Sequence, residues 1–202
     1  MSAEFHEARV AAEGGAIAYA EAGSGEAIVA IGNSLAAAPG HVLLAKDRRV
    51  ILFAQDGAAP QVFARRIGAA LGTLGLQRFD LIGHGTGAAA ALWLALAKPA
   101  ETGAIVLVSP TALAERGTEL EQRLGELKRS VLALFGTNDR STPPGEGGRY
   151  RTLLPDCHLM FAYEAGHEVE RERPEALAFI AREFFERRDL FLVSRDSGLA
   201  FP

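Results

Sequence analysis

The feature that most constrains this chain is a rhythm, in which short apolar runs of strand length recur and stretches with helical spacing lie between most of them. Ala27 to Ile31, Val50 to Ala54, Phe79 to Ile82, Ala104 to Val108, Val131 to Phe135 and His158 to Tyr163 each read as a buried strand. The clearest helical stretches are Gln61 to Leu74, Thr86 to Ala97 and Pro174 to Arg187; in the last, Leu177, Ile180, Ala181, Phe184 and Phe185 fall on one face. Pro174 suits a first helical turn, where its missing N–H is no loss. A strand that feeds a helix and then another strand must cross over and lie parallel to the first. The rhythm therefore predicts an α/β fold, a mostly parallel central sheet with helices on both faces. Ala8 to Ala12 and Ala16 to Glu21, joined by Glu13-Gly14-Gly15, read as an opening hairpin.

A chain of 202 residues, 49% hydrophobic and 23% charged, has the material for one core. Residues 1–187 are expected to form that single domain and 188–202 a tail. The tail reads as a partly ordered terminus, with docking on the body or on a second subunit as the alternative, which leaves room for a homo-oligomer. Between the strands ending at Val108 and beginning at Val131, one helix over Leu113 to Lys128 is expected, so a lid is minimal or absent. Pro143 to Gly148 reads as a loop.

A net charge of -4 without a lysine or arginine block argues against a nucleic-acid partner. No run approaches membrane-spanning length, and Met1 to Val10 holds Glu4, His6, Glu7 and Arg9 rather than an apolar signal core. The expectation is a cytoplasmic protein with no membrane partner. Cys157 is the only cysteine, and His6, His41 and His158 have no ligand spacing, so neither a disulfide, a metal nor a cofactor is expected.

The stretch that bears on chemistry is Phe79-Asp80-Leu81-Ile82-Gly83-His84-Gly85-Thr86-Gly87, followed by a helix of small residues. It reads as strand, sharp turn, helix. Glycines two before and two after the turn residue let strand and helix approach closely, the geometry of a nucleophile elbow. The turn residue itself, Gly85, has no side chain with which to attack.

At these residues the chain resembles the α/β-hydrolase superfamily, whose elbow is usually Gly-X-Ser-X-Gly and often carries histidine at the first X, as His84 does here. Val131 to Asp139 is similar to the strand and turn that deliver the family's acidic triad member, and Ala165-Gly166-His167 to its histidine loop. The resemblance implies the α/β-hydrolase fold over approximately Ala8 to Arg187, with Asp139 as the acid, His167 as the base and Gly85 at the nucleophile position. It also implies oxyanion and substrate contacts from Thr86, Ser34, Asn33 and Gly32, although Gly32-Asn33-Ser34 stands where relatives often have a His-Gly loop.

Three readings follow. The first is a pseudoenzyme with a degenerate triad, which binds a small-molecule or acyl ligand without serine-esterase activity. In the second, a non-covalent hydrolase or lyase, the His167/Asp139 dyad activates water or a substrate. The third is a serine hydrolase carrying an engineered Ser→Gly change. Thr86 and Ser34 are poor substitute nucleophiles, since neither occupies the elbow position. His84 is expected to pack beneath the elbow, Glu164, Glu168 and Glu170 to be solvated surface charge, and Trp93 to pack in the core or an interface.

Overall fold

The computed structural model describes residues 3–111, 113, 117–142, 145–187 and 198–200. Among the described residues, nine strands form one sheet: β1 His6–Ala12, β2 Gly15–Ala22, β3 Ala27–Gly32, β4 Arg49–Ala54, β5 Phe79–His84, β6 Thr102–Val108, β7 Val131–Gly136, β8 Cys157–Ala162 and β9 Gly198–Ala200. Their order is β1-β2-β4-β3-β5-β6-β7-β8-β9. The hairpin β1–β2 is antiparallel, as is the β2–β4 pair, and every other pair is parallel. From β3 the chain steps to β4 on one side and then to β5 on the other, so the switch point lies between β3 and β5, whose C-terminal ends flank the place where an α/β sheet offers its binding crevice.

Successive residues of each central strand point to opposite faces, and both faces are covered. Val29, Ile31, Ile51, Phe53, Leu81 and Ile105 pack with Phe63, Ile67 and Leu71 of α2 Pro60–Thr73 and with α3 Gly87–Ala97. Ile28, Ala30, Val50, Leu52, Ile82 and Val106 pack with Leu44 of α1 Pro39–Leu44 and with Leu177, Ile180, Phe184 and Phe185 of α7 Pro174–Arg187. This two-sided burial is why the strands read as unbroken apolar runs rather than as alternating ones. Trp93 lies in the core on the α2 and α3 side of the sheet, with Arg123 over its ring.

Four expectations need correction. In place of one helix over Leu113 to Lys128, there is α4 Glu119–Arg123 followed by a single 3₁₀ turn, Leu124–Glu126; part of the expected span, 114–116, lies outside the described residues. Thr118 caps α4 by accepting from the Glu121 amide, which starts the helix late. Of the presumed loop, 143 and 144 lie outside the described residues and 146–148 are helical, because α5 Glu146–Leu153 begins inside it; Gly147 lies so close to Leu159 that a Cβ there would sit 2.7 Å from the leucine methyl. The tail contributes an edge strand, β9, parallel to β8; the rest of 188–202 lies outside the described residues. Lastly, Glu170 is not surface charge. It belongs to α6 Val169–Glu172 and is only 5% exposed, whereas Glu164 and Glu168 are exposed as expected. Among the described residues, no helix is long and apolar enough to cross a membrane.

Candidate active site

β5 ends at His84 and α3 starts at Gly87, which leaves two residues to reverse the chain. Gly85 takes φ 54°, the left-handed region where a side chain is strained, and its amide donates to the Val108 carbonyl at 3.0 Å. The flanking glycines are fixed by contact. A Cβ on Gly83 would lie 2.7 Å from Ala88 Cα, and one on Gly87 would lie 2.2 Å from the Ile31 carbonyl oxygen. Helix α3 is thus pressed against β3 and β5, with its N-terminus at the crevice.

A Cβ on Gly85 would meet one atom within contact range, His167 Nε2, at 3.4 Å. His167 stands in the loop after β8, and its Nδ1 donates to Asp139 Oδ2 at 3.0 Å. Asp139 follows β7, and its other oxygen, Oδ1, accepts from the amides of Ser141 and Thr142 at 2.8 and 3.0 Å. Burial raises the Asp139 pKa, but the donors from Thr142, His167 and Ser141 outweigh it and hold the carboxyl below its ordinary value. An ionised carboxylate only accepts, so the imidazole proton sits on Nδ1 and the Nε2 lone pair faces the elbow. The two loops are stitched together by Asn138 N donating to the Ala165 carbonyl at 2.8 Å, and Glu172 holds the His167 loop from below by accepting from the Gly166 and Glu168 amides.

On the other side of the elbow, Thr86 Oγ1 lies 3.0 Å from the Asn33 side-chain oxygen and 2.9 Å from that of Gln55. One hydroxyl proton serves only one acceptor, so the second amide is satisfied in its flipped orientation. Gln55 escaped the sequence reading. Its signal was its place just after β4, on the crevice edge that also carries Asn33 and Thr86. Ser34 turns its hydroxyl onto its own loop, where it accepts from the Ala36 amide at 3.0 Å. Ser34 also lines, with Gly32, Asn33, His41, His84 and Glu170, a cavity of about 80 Å³.

His84 packs beneath the elbow, with Nδ1 2.9 Å from Glu170 Oε1 and Nε2 3.2 Å from the His167 carbonyl oxygen. Burial disfavours the charged ring, but the hydrogen bond and charge of Glu170, the His167 carbonyl and Glu168 outweigh it, and the His84 pKa is raised above 6.5. Burial also opposes ionisation of Glu170, yet His84 wins and the carboxyl is held below its ordinary value. Nearby His41 accepts the Ala38 amide on Nδ1 at 3.3 Å; burial dominates there and lowers its pKa to about 4.

The structure thus brings Gly85, Thr86, Asn33, Asp139 and His167 together at the C-terminal edge of the sheet, with Gly32 and Ser34 around the adjoining cavity. No family model matches the sequence, and no curated protein matches it. Solved structures do. A predicted CIB-like hydrolase from Thermoplasma acidophilum superposes with a TM-score of 0.74 at 16% identity, over 90% of this chain and 98% of that one. Carboxylesterase CesB from Bacillus subtilis gives 0.75 at 15%, over 91% and 92%. The 2-hydroxy-6-oxo-6-phenylhexa-2,4-dienoate hydrolase from Rhodococcus gives 0.73 at 16%, over 92% and 100%. The chain has the α/β-hydrolase fold.

Proposed function

We propose that this protein is an α/β-hydrolase-fold pseudoenzyme that binds a small acyl-type ligand at the elbow and lacks serine-esterase activity. The observation that carries the reading is the position of Gly85: His167 Nε2 faces a turn whose residue has no hydroxyl to deprotonate. Removing the serine from such a triad leaves only ~10³ to 10⁴-fold catalysis over water, from oxyanion contacts and binding. The ligand would sit against Gly32, Asn33, Ser34 and Thr86, with the amides near Ser34 and Thr86 directed at its carbonyl oxygen.

A second reading is favoured by one specific feature. The Asp139–His167 pair keeps its hydrogen bond and leaves Nε2 uncommitted, the arrangement of a general base. In that reading, a water held where a serine hydroxyl would lie is deprotonated by His167 and attacks the ligand's carbonyl directly, without an acyl-enzyme.

Hydrolysis of short-chain activated esters by the parent, Gly85→Ser and His167→Ala proteins separates the two. The pseudoenzyme reading expects an inactive parent and a gain in Gly85→Ser. A parent that turns over and is silenced by His167→Ala overturns it in favour of water activation.

A further inference from the structure

Two residues under the elbow have no part in the function proposed above. His84 ends β5 one residue before Gly85, and Glu170 lies in α6, three residues after His167. Their side chains are 12% and 7% exposed and meet at 2.9 Å. The remaining nitrogen of the His84 ring bonds the main chain of His167 itself. One ring thereby joins the elbow, a helix and the backbone of the residue that faces Gly85.

We infer that His84 and Glu170 form a latch that positions His167, clamping the His167 loop to the elbow through the His84 ring. His84 is a positioning residue, and its consequence for chemistry rests on the function proposed above; the latch itself is a property of the loop.

The clamp needs a charged ring. Neutral imidazole carries one N–H and serves one acceptor, whereas imidazolium donates from both nitrogens, to Glu170 and to the His167 carbonyl together. The groups facing this pocket favour the charge. Glu170 approaches from α6 and Glu168 from the loop before it, while His41 on α1 is kept neutral by burial at ordinary pH. Arg171, also on α6, lines the same cavity and acts on His41, and the His167 ring lies 5.2 Å away. Glu170 Oε2 is buried and finds no hydrogen-bond partner among the described residues, so its charge leans chiefly on His84. As pH rises and His84 loses a proton, one of its two acceptors loses its donor and the loop is released.

The test is an imidazole and amide NMR titration of the intact protein from about pH 5 to pH 10. His84 is expected to titrate with a midpoint above 6.5 and to carry protons on both nitrogens below it. The amides of Gly166, His167 and Glu168 should shift with that midpoint. In Glu170→Gln, both transitions should move down together by about one pH unit or more. Loop amides that ignore the His84 transition, or a His84 midpoint unmoved by Glu170→Gln, would overturn the latch. If Glu170→Gln does not fold, the parent titration still decides, through the coupling of the two midpoints.

Activity supplies a second arm. In the Gly85→Ser background, His84→Gln should lower kcat about 10- to 100-fold, change KM less than about twofold and abolish the alkaline fall of kcat. An unchanged kcat, or a loss confined to KM, would overturn the positioning role. An inactive Gly85→Ser protein would instead count against the proposed function, and the titration alone would then decide the latch.

Discussion

The elbow lies between two histidine–carboxylate pairs that nearly share dimensions: 3.0 Å for His167–Asp139 and 2.9 Å for His84–Glu170. They differ in what each leaves uncommitted. Asp139 is satisfied by three donors, and His167 spends one nitrogen on it and turns the other to the elbow. His84 spends both nitrogens, and the free valence belongs instead to the buried Glu170. The same two chemical groups, an imidazole and a carboxylate, would therefore serve as a base in one place and a brace in the other, with the difference set by surroundings.

Removing one carboxylate charge at a time should sharpen this contrast most. In the Gly85→Ser background, Asp139→Asn is expected to lower kcat by about 10⁴-fold, because it alters the tautomer of the ring that handles the proton. Glu170→Gln, which acts only through position, should cost about 10- to 100-fold. Equal losses would erase the distinction between base and brace.

Stability should rank the pairs the other way. His84→Phe strands the Glu170 carboxylate in the interior and is expected to cost about 3–5 kcal/mol in urea unfolding, with the apolar double variant His84→Leu/Glu170→Leu regaining most of it. His167→Ala should cost far less, since Asp139 keeps its two amide donors. Gly85→Ser should cost about 1–2 kcal/mol, because a side chain is strained at φ 54° although the space is open.

The pH dependence of stability is the smallest effect and carries the sign of each group. His84, with its raised pKa, stabilises fully below 6.5, and that contribution is lost as pH rises through its folded value. His41 is held neutral down to about 4, so below 6.5 the unfolded chain takes a proton that the folded one refuses. Asp139 and Glu170, with lowered pKa values, stabilise above 3.8 and 4.5 and lose that as pH falls through their folded values. Stability is therefore expected to peak near pH 6.5 in a denaturation series and decline on both sides. A curve still climbing well above that pH would remove His84 from the account.

The dyad was legible in the sequence for the same reason that the sheet was. Gly83 to Gly87, the turn after Val131 to Gly136 and the loop bearing His167 are each punctuated locally by glycine or by a strand end, and their chain order suffices to align them. Glu170 was illegible because Glu168-Val169-Glu170-Arg171-Glu172 has the composition of a solvated turn. It is buried in contact with His84, 86 positions away, a pairing that no local pattern encodes. Gln55 and the short helices α1 and α6 escaped for a related reason, since one or two turns show too little periodicity to separate from loop.

The central claim, that a competent dyad faces a position without a nucleophile, is tested most directly by fluorophosphonate labelling read as intact mass. The parent should remain unmodified, Gly85→Ser should gain one adduct, and adding His167→Ala should slow that gain by orders of magnitude. An adduct on the parent, or a folded Gly85→Ser protein that takes none, would contradict it.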